Sequence, residues 1–181
     1  MVMCDFDLNF TFISCGWEGS ATDATVVRSA LNNGFQVPPG KFYLVDGGYS
    51  NTPYFLALYR GVRYHLKEFA RGRRRPQNHR ELFNHRHAVL RNHIELALGV
   101  LKKRFPILKV GTHHRIVNQV KLTAAAAILH NIIRSRQGDE RWLDNQPNNI
   151  SPMNFVDLLS TSSLLSFIKE KQLVTLTFLQ F

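Results

Sequence analysis

Apolar and polar positions follow one another in blocks along this chain, and the period of each block predicts an element. Met1 to Asp5 reads as the end of a strand and Asp7-Leu8-Asn9 as a turn. Phe10-Thr11-Phe12-Ile13-Ser14-Cys15, β-branched and aromatic, is the returning strand of a hairpin. Gly16 to Ser20 breaks the hairpin, and Ser20 or Thr22 can cap a helix from Ala21 to Leu31, with Val26, Val27 and Ala30 on one face. After a loop punctuated by Gly34 and Pro38-Pro39-Gly40, Phe42-Tyr43-Leu44-Val45 predicts a buried strand running into Asp46-Gly47-Gly48. A long helical period then covers about Gln77 to Phe105, with Phe83, Leu90, Ile94, Ala97, Leu101 and Phe105 as its stripe. Pro106 ends it. Ile107 to Val110 is expected as a short strand. Asn118 is expected to cap a last helix from Gln119 to Arg134, with Val120, Ala124, Ala127, Ile128 and Ile132 on its apolar face. Beyond Gln137 the pattern loosens. Gln146-Pro147-Asn148-Asn149 is linker-like, and Phe155 to Phe181 could dock as a helix and a strand or stay poorly ordered. Strands alternating with helices make this an α/β chain.

Composition narrows the class. With 181 residues, 44% hydrophobic and 20% charged, the chain suits one soluble domain with a real core and a tail. Cys4 and Cys15 are the only cysteines, too few for a disulfide framework or a zinc site, so a reducing interior is expected. The first residues show no basic region followed by an apolar core, so no secretory signal is expected. No uncharged apolar stretch reaches the roughly 18 residues of a membrane span. The formal charge is +10. Much of it falls between Arg60 and Arg91, where ten Lys or Arg face only Glu68 and Glu81. Arg71-Gly72-Arg73-Arg74-Arg75-Pro76 is the centre of that run. A run this dense in Arg suits bidentate contacts with a nucleic-acid backbone and is compatible with nuclear import.

Three acids lie on separate elements beside that basic segment. Asp46 ends the Phe42–Val45 strand, and in open α/β sheets ligands bind at the carboxyl ends of strands. It can equally serve as a turn residue. Asp23 lies in the first helical turn, where the helix dipole favours an acid whatever else it does. Glu95 flanks the stripe of the long helix with Arg91 four residues before it, as in an ordinary surface pair. Carboxylates on separate elements next to a cationic surface suit metal-dependent phosphodiester chemistry, in which two divalent ions about 4 Å apart need several acids. His130-Asn131 invites a metal or catalytic reading. A lone His on an apolar helix is more often a hydrogen-bonded core residue.

An ordered set of motifs goes further than spacing. These are Cys4-Asp5-Phe6-Asp7, Gly16-Trp17-Glu18-Gly19-Ser20-Ala21-Thr22-Asp23 and Tyr43-Leu44-Val45-Asp46-Gly47-Gly48-Tyr49. Tyr59 to Glu68, Glu81 to His87, Arg91-Asn92-His93-Ile94-Glu95, Gly99 to Pro106 and Ile128-Leu129-His130-Asn131 continue the series. Together they resemble, collinearly from Met1 to about Arg134, the nuclease domain of PIF/Harbinger-type DDE transposases and their domesticated relatives, particularly the plant members. The resemblance implies an RNase H-like mixed sheet flanked by helices over residues 1–134, with 135–181 an unassigned tail. It implies DNA as substrate, Mg²⁺ or Mn²⁺ as cofactor and the nucleus as the place of action. Asp46 matches the family's second catalytic acid and Glu95 its glutamate, and Asp23 matches an accompanying acid that could serve as a further metal ligand. DNA contacts would come from Arg71, Arg73, Arg74, Arg75, Lys102 and Lys103.

Two departures accompany it. Leu96 stands where the family usually has Arg, which removes a possible DNA contact. The family's first aspartate belongs to a strand upstream of the hairpin, and no matching motif is present. Asp5 and Asp7 match the hairpin turn and are not substitutes. The sheet is therefore expected to be incomplete, with an unpaired gap beside the strand that ends in Asp46, and the chain inactive by itself. The family's upstream DNA-binding helices have no counterpart either, so a separate DNA-binding partner is conceivable. Two other readings stay open: a non-catalytic DNA- or partner-binding protein using the Arg60–Arg91 segment, and a transposon fragment without function.

Overall fold

The computed structural model describes residues 1–17, 20–64, 76–110 and 114–136, together with the backbone of 174–177. Its order is β1 (Val2–Cys4), β2 (Phe10–Ile13), α1 (Asp23–Asn32), β3 (Tyr43–Leu44), β4 (Phe55–Leu56), α2 (His79–Arg104), a 3₁₀ turn (Pro106–Leu108), α3 (Ile116–Ser135) and β5 (Val174–Thr177). The strands form one five-stranded mixed sheet in the order β2-β1-β5-β3-β4. β1 pairs antiparallel with β2 and with β5, whereas β3 runs parallel to both β5 and β4.

The period-two alternation of the strands sends successive residues into opposite cores. Met1, Met3, Tyr43 and Val45 point to one face, where Val26, Val27 and Ala30 of α1 cover them. Val2 and Cys4 point to the other, against Ile94, Ala97, Leu98 and Leu101 of α2 and Ala126 and Ala127 of α3. Leu44, Phe6 and Leu90 form a smaller cluster on the α2 side. Helices therefore cover both faces, as the α/β pattern requires.

Local signals account for most helix ends. The Thr22 hydroxyl accepts from the Thr25 amide and caps α1. Asn78 caps α2 by accepting from the Glu81 amide at 2.9 Å, while the Glu81 carboxylate reaches back to the Gln77 amide at 3.0 Å and to Arg63 at 3.0 Å. Those bonds, the backbone one first, hold the Glu81 carboxyl below its usual range. Pro106 stops α2 at Arg104.

Three expectations need correction, and one strand was not anticipated. Ile107 to Val110 is not a strand, because Pro106 starts a 3₁₀ turn there. The last helix begins at Ile116 with Arg115 as its cap residue, a turn earlier than an Asn118 cap would set it. The unanticipated strand is β4, which lies within the apolar run Tyr54-Phe55-Leu56-Ala57-Leu58. Finally, the gap beside β3 is not open: β5, from the far end of the chain, pairs with β1 on one side and β3 on the other.

α3 is, among the described residues, one helix long and apolar enough to cross a membrane by length and composition. Thr123, Ala126, Ala127 and His130 on it are nonetheless buried against the protein, and Ile128, Leu129 and Ile132 are exposed. That is a narrow core-facing stripe on an unusually apolar helix.

Candidate active site

The carboxyl end of β3 turns sharply. The Tyr49 amide donates to the Asp46 carbonyl at 3.1 Å, and the Gly47 amide donates to Asp46 Oδ1 at 2.7 Å. Neither Gly47 nor Gly48 has a positive φ. Gly48 lies close to α1, since a Cβ there would meet Asp23 Oδ2 in ordinary contact at 3.6 Å. The N-terminus of α1 is thus laid against the turn, and its acid faces the acid of β3. Asp46 is half-buried and bonded as a turn residue, the role that the Asp-Gly sequence allowed.

The two acids feel each other. Burial, then the negative charge of Asp46, raises the Asp23 carboxyl above its ordinary value, with the Met1 ammonium offsetting part of the rise. Tyr49, buried beside them, has its phenol pushed far up by desolvation and then by the charges of Asp23 and Asp46. Among the described residues no hydrogen bond reaches the Asp23 carboxylate. Two negative groups facing one another with little internal compensation form an arrangement that a cation would relieve.

Cationic groups border the turn. Arg60 donates from Nε to the Gly47 carbonyl at 3.3 Å and from its terminal nitrogen to the Tyr49 carbonyl at 3.4 Å. The sequence marked Arg60 only as the edge of a charge run. His87, within the same segment, is buried on α2, with Nε2 2.9 Å from the Leu56 carbonyl. Desolvation lowers its pKa, the Leu56 bond raises it, nearby Arg91 lowers it and nearby Asp46 raises it. Its Nδ1 is buried without a partner among the described residues. The sign available to the sequence was helical spacing: His87, Leu90, Ile94 and Leu101 share the buried side of α2.

Glu95 is placed differently. Its side chain is 53% exposed and pairs loosely with Arg91 at 3.8 Å, the surface pair that the i, i+4 spacing suggests. Among the described residues no three His, Cys, Asp or Glu side chains converge as metal ligands. The structure therefore brings Asp23 and Asp46 together and leaves Glu95 outside that pair. Lys102 and Lys103 are half-buried in the last turn of α2, where the helix dipole favours cations. Arg71, Arg73, Arg74 and Arg75 lie outside the described residues.

His130-Asn131 is resolved as architecture. His130 is fully buried, with Nε2 3.0 Å from the Leu8 carbonyl, Nδ1 3.1 Å from Arg104 and its ring edge-on to Phe10. Asn131 accepts from the Phe10 amide at 2.9 Å and donates to the Phe10 carbonyl at 2.8 Å. The pair bolts α3 to the hairpin, whose turn holds Leu8 at φ +62°.

The family model for the DDE superfamily endonuclease matches residues 1–131 of this chain. No curated protein and no solved structure matches it.

Proposed function

Because the chain belongs to the DDE superfamily endonuclease family, we propose that it is a Harbinger-type, transposase-derived nuclease domain whose cation seat is the Asp23–Asp46 pair. The family supplies the class: DNA as substrate and divalent metal as the usual cofactor. The sheet order β2-β1-β5-β3-β4, with helices on both faces, supports reading the architecture as RNase H-like. The carrying observation is that Asp23 and Asp46, from different elements, lie close enough at the carboxyl end of β3 for the charge of Asp46 to act on Asp23, with the Asp23 carboxylate beside Gly48.

The two carboxylates fit a hard divalent cation by donor type and by charge. When bound, such an ion would supply electrophilic assistance to a phosphodiester oxygen. The chain's own groups do the rest. Asp46 is oriented by the Gly47 amide, Asp23 by its place in the first turn of α1, and Arg60 holds the turn between them. Glu95, one turn beyond Arg91 on an exposed face, would have to approach for a three-acid set, so the chain alone binds cation without cutting efficiently. Isothermal titration with Mn²⁺ and a supercoiled-plasmid nicking assay test this. Binding lost in both Asp23→Asn and Asp46→Asn, with no nicking by the parent chain, is the expected result. Mn²⁺ affinity indifferent to both substitutions would sink the proposal.

A second reading, DNA binding without catalysis in the nucleus, is favoured by where the described basic side chains are spent. Arg60 serves the acid turn, Arg63 pairs with Glu81, Arg91 with Glu95, and Arg80 lies over the Tyr59 ring. This reading gives the phosphate contacts to Lys102, Lys103 and the Arg71–Arg75 cluster, with exposed Arg86 between them in the chain. Salt-dependent DNA affinity lost on neutralising those residues but indifferent to Asp46→Asn would favour this reading.

A further inference from the structure

The sheet consists of two ribbons and a strand between them. β1 pairs with β2, β3 pairs with β4, and β5 is what joins the halves. Its register is set on both sides: Thr175 lies opposite Cys4 on β1 and opposite Leu44 on β3, and Thr177 lies opposite Val2. A two-stranded ribbon is marginal alone. With β5 in place Val2, Met3 and Cys4 are fully buried, and their side chains belong to the two cores on either face of the sheet. Asp46 follows Leu44 by two residues as Thr177 follows Thr175, and the two strands run parallel. The backbone of Thr177 is thus level with Asp46. No Asp or Glu occurs from Lys171 to Phe181.

We propose that the space between β1 and β3 is a strand-accepting groove, filled in this protein by its own segment 174–177. The inserted strand fixes β3, and with it Asp46, against α1 while bringing no acid to the neighbouring position. The segment is therefore a positioning element for the carboxylate pair. The first half of this inference stands on strand register alone; the second rests on the cation reading of Asp23 and Asp46.

The test uses the full chain in a Cys15→Ser background. Register partners on antiparallel strands have Cα atoms about 4.5–5.5 Å apart, within disulfide reach, whereas a diagonal neighbour lies about 7–8 Å away. Under mild oxidation Thr175→Cys should form an intramolecular disulfide with Cys4, and Thr177→Cys should not. Equal cross-linking of both, cross-linking of neither, or a disulfide-linked dimer would overturn self-insertion, the dimer by showing that a second copy supplies the strand. Leu176→Pro gives an independent reading, since a proline is not tolerated in a central strand. The buried Cys4 thiol should then react with a thiol reagent at least about tenfold faster than in the parent, and an unchanged rate would contradict the groove. For the second half, Thr177→Asp places a carboxylate on the strand level with Asp46. It should tighten Mn²⁺ binding about tenfold over the parent. No gain, while the parent still binds through Asp23 and Asp46 and the cross-link still forms, would overturn the positional claim and leave the cation reading standing.

Discussion

Two turns of this molecule are each built around an aspartate, and they are treated in opposite ways. In the hairpin turn the Asp5 carboxylate is consumed locally: Oδ1 accepts from the Asp7 and Asn9 amides at 2.9 and 2.8 Å, and Oδ2 from the Asn9 side chain at 3.0 Å. From behind, His130 and Asn131 hold the same hairpin through backbone groups. At the β3 turn the Asp46 carboxylate accepts, among the described residues, one amide bond, Asp23 lies near enough to feel its charge, and the support from Arg60 goes to backbone carbonyls. A carboxylate with its lone pairs satisfied is structural. A carboxylate left beside another, with the Asp46 charge and burial both disfavouring the Asp23 charge, is stored electrostatic strain, the usual mark of a functional position.

That contrast predicts effects of different size. The largest belongs to the hairpin. His130→Ala removes a fully buried ring and leaves the Leu8 carbonyl unsatisfied, so it should cost about 3 kcal/mol in urea unfolding. A loss under about 1 kcal/mol would mean that α3 is not bolted there. At the acid turn the expected effect is smaller and of opposite sign. The Asp23 carboxyl is raised in the folded chain, so its protonated form is favoured on folding. That contribution is complete below the unfolded carboxyl value and is lost as pH rises through the folded one. Relative to Asp23→Asn, the parent's urea midpoint should fall as pH rises above the ordinary carboxyl value of about 3.9, and Mn²⁺ should flatten the fall. A parent more stable than Asp23→Asn at pH 6 without metal would erase the distinction between the two turns. The smallest effect is Gly48→Ala. Its methyl would sit in ordinary contact with Asp23 Oδ2 without backbone strain, so stability should move by less than about 0.5 kcal/mol. Crowding out water there should weaken Mn²⁺ binding about two- to threefold. An unaltered affinity would separate Gly48 from the site.

The difference between local and non-local information explains what could be read from the sequence. Asn78 and Pro106 bracket α2 because capping and proline chemistry act within a turn of where they stand. The Asp23–Asp46 pairing was reachable through the ordered motifs, since both acids sit at the ends of well-signalled elements. His130 was legible as a core residue, because a lone His on an apolar helix has to satisfy its nitrogens within the protein. β5 was not legible as the central strand. Val174-Thr175-Leu176-Thr177 has strand-like composition, but nothing local says which strands will flank it, and the docking of the tail was left open. Glu95 shows the converse. The motif groups it with the acids, while the helix phase puts Ile94 and Ala97 inward and Glu95 outward.

The β1–β5 ladder joins residues near position 2 to residues near position 177. Such a contact forms late, because loop closure must precede any gain from pairing. During synthesis α1, α2 and α3 all emerge before the strand that unites the sheet. The nascent chain therefore carries two incomplete ribbons, and Val2, Met3 and Cys4 with an unfilled edge, until residues 174–177 have emerged. Folding yield should thus depend on chaperone occupancy and on what is fused after residue 177 more than on substitutions in the helices.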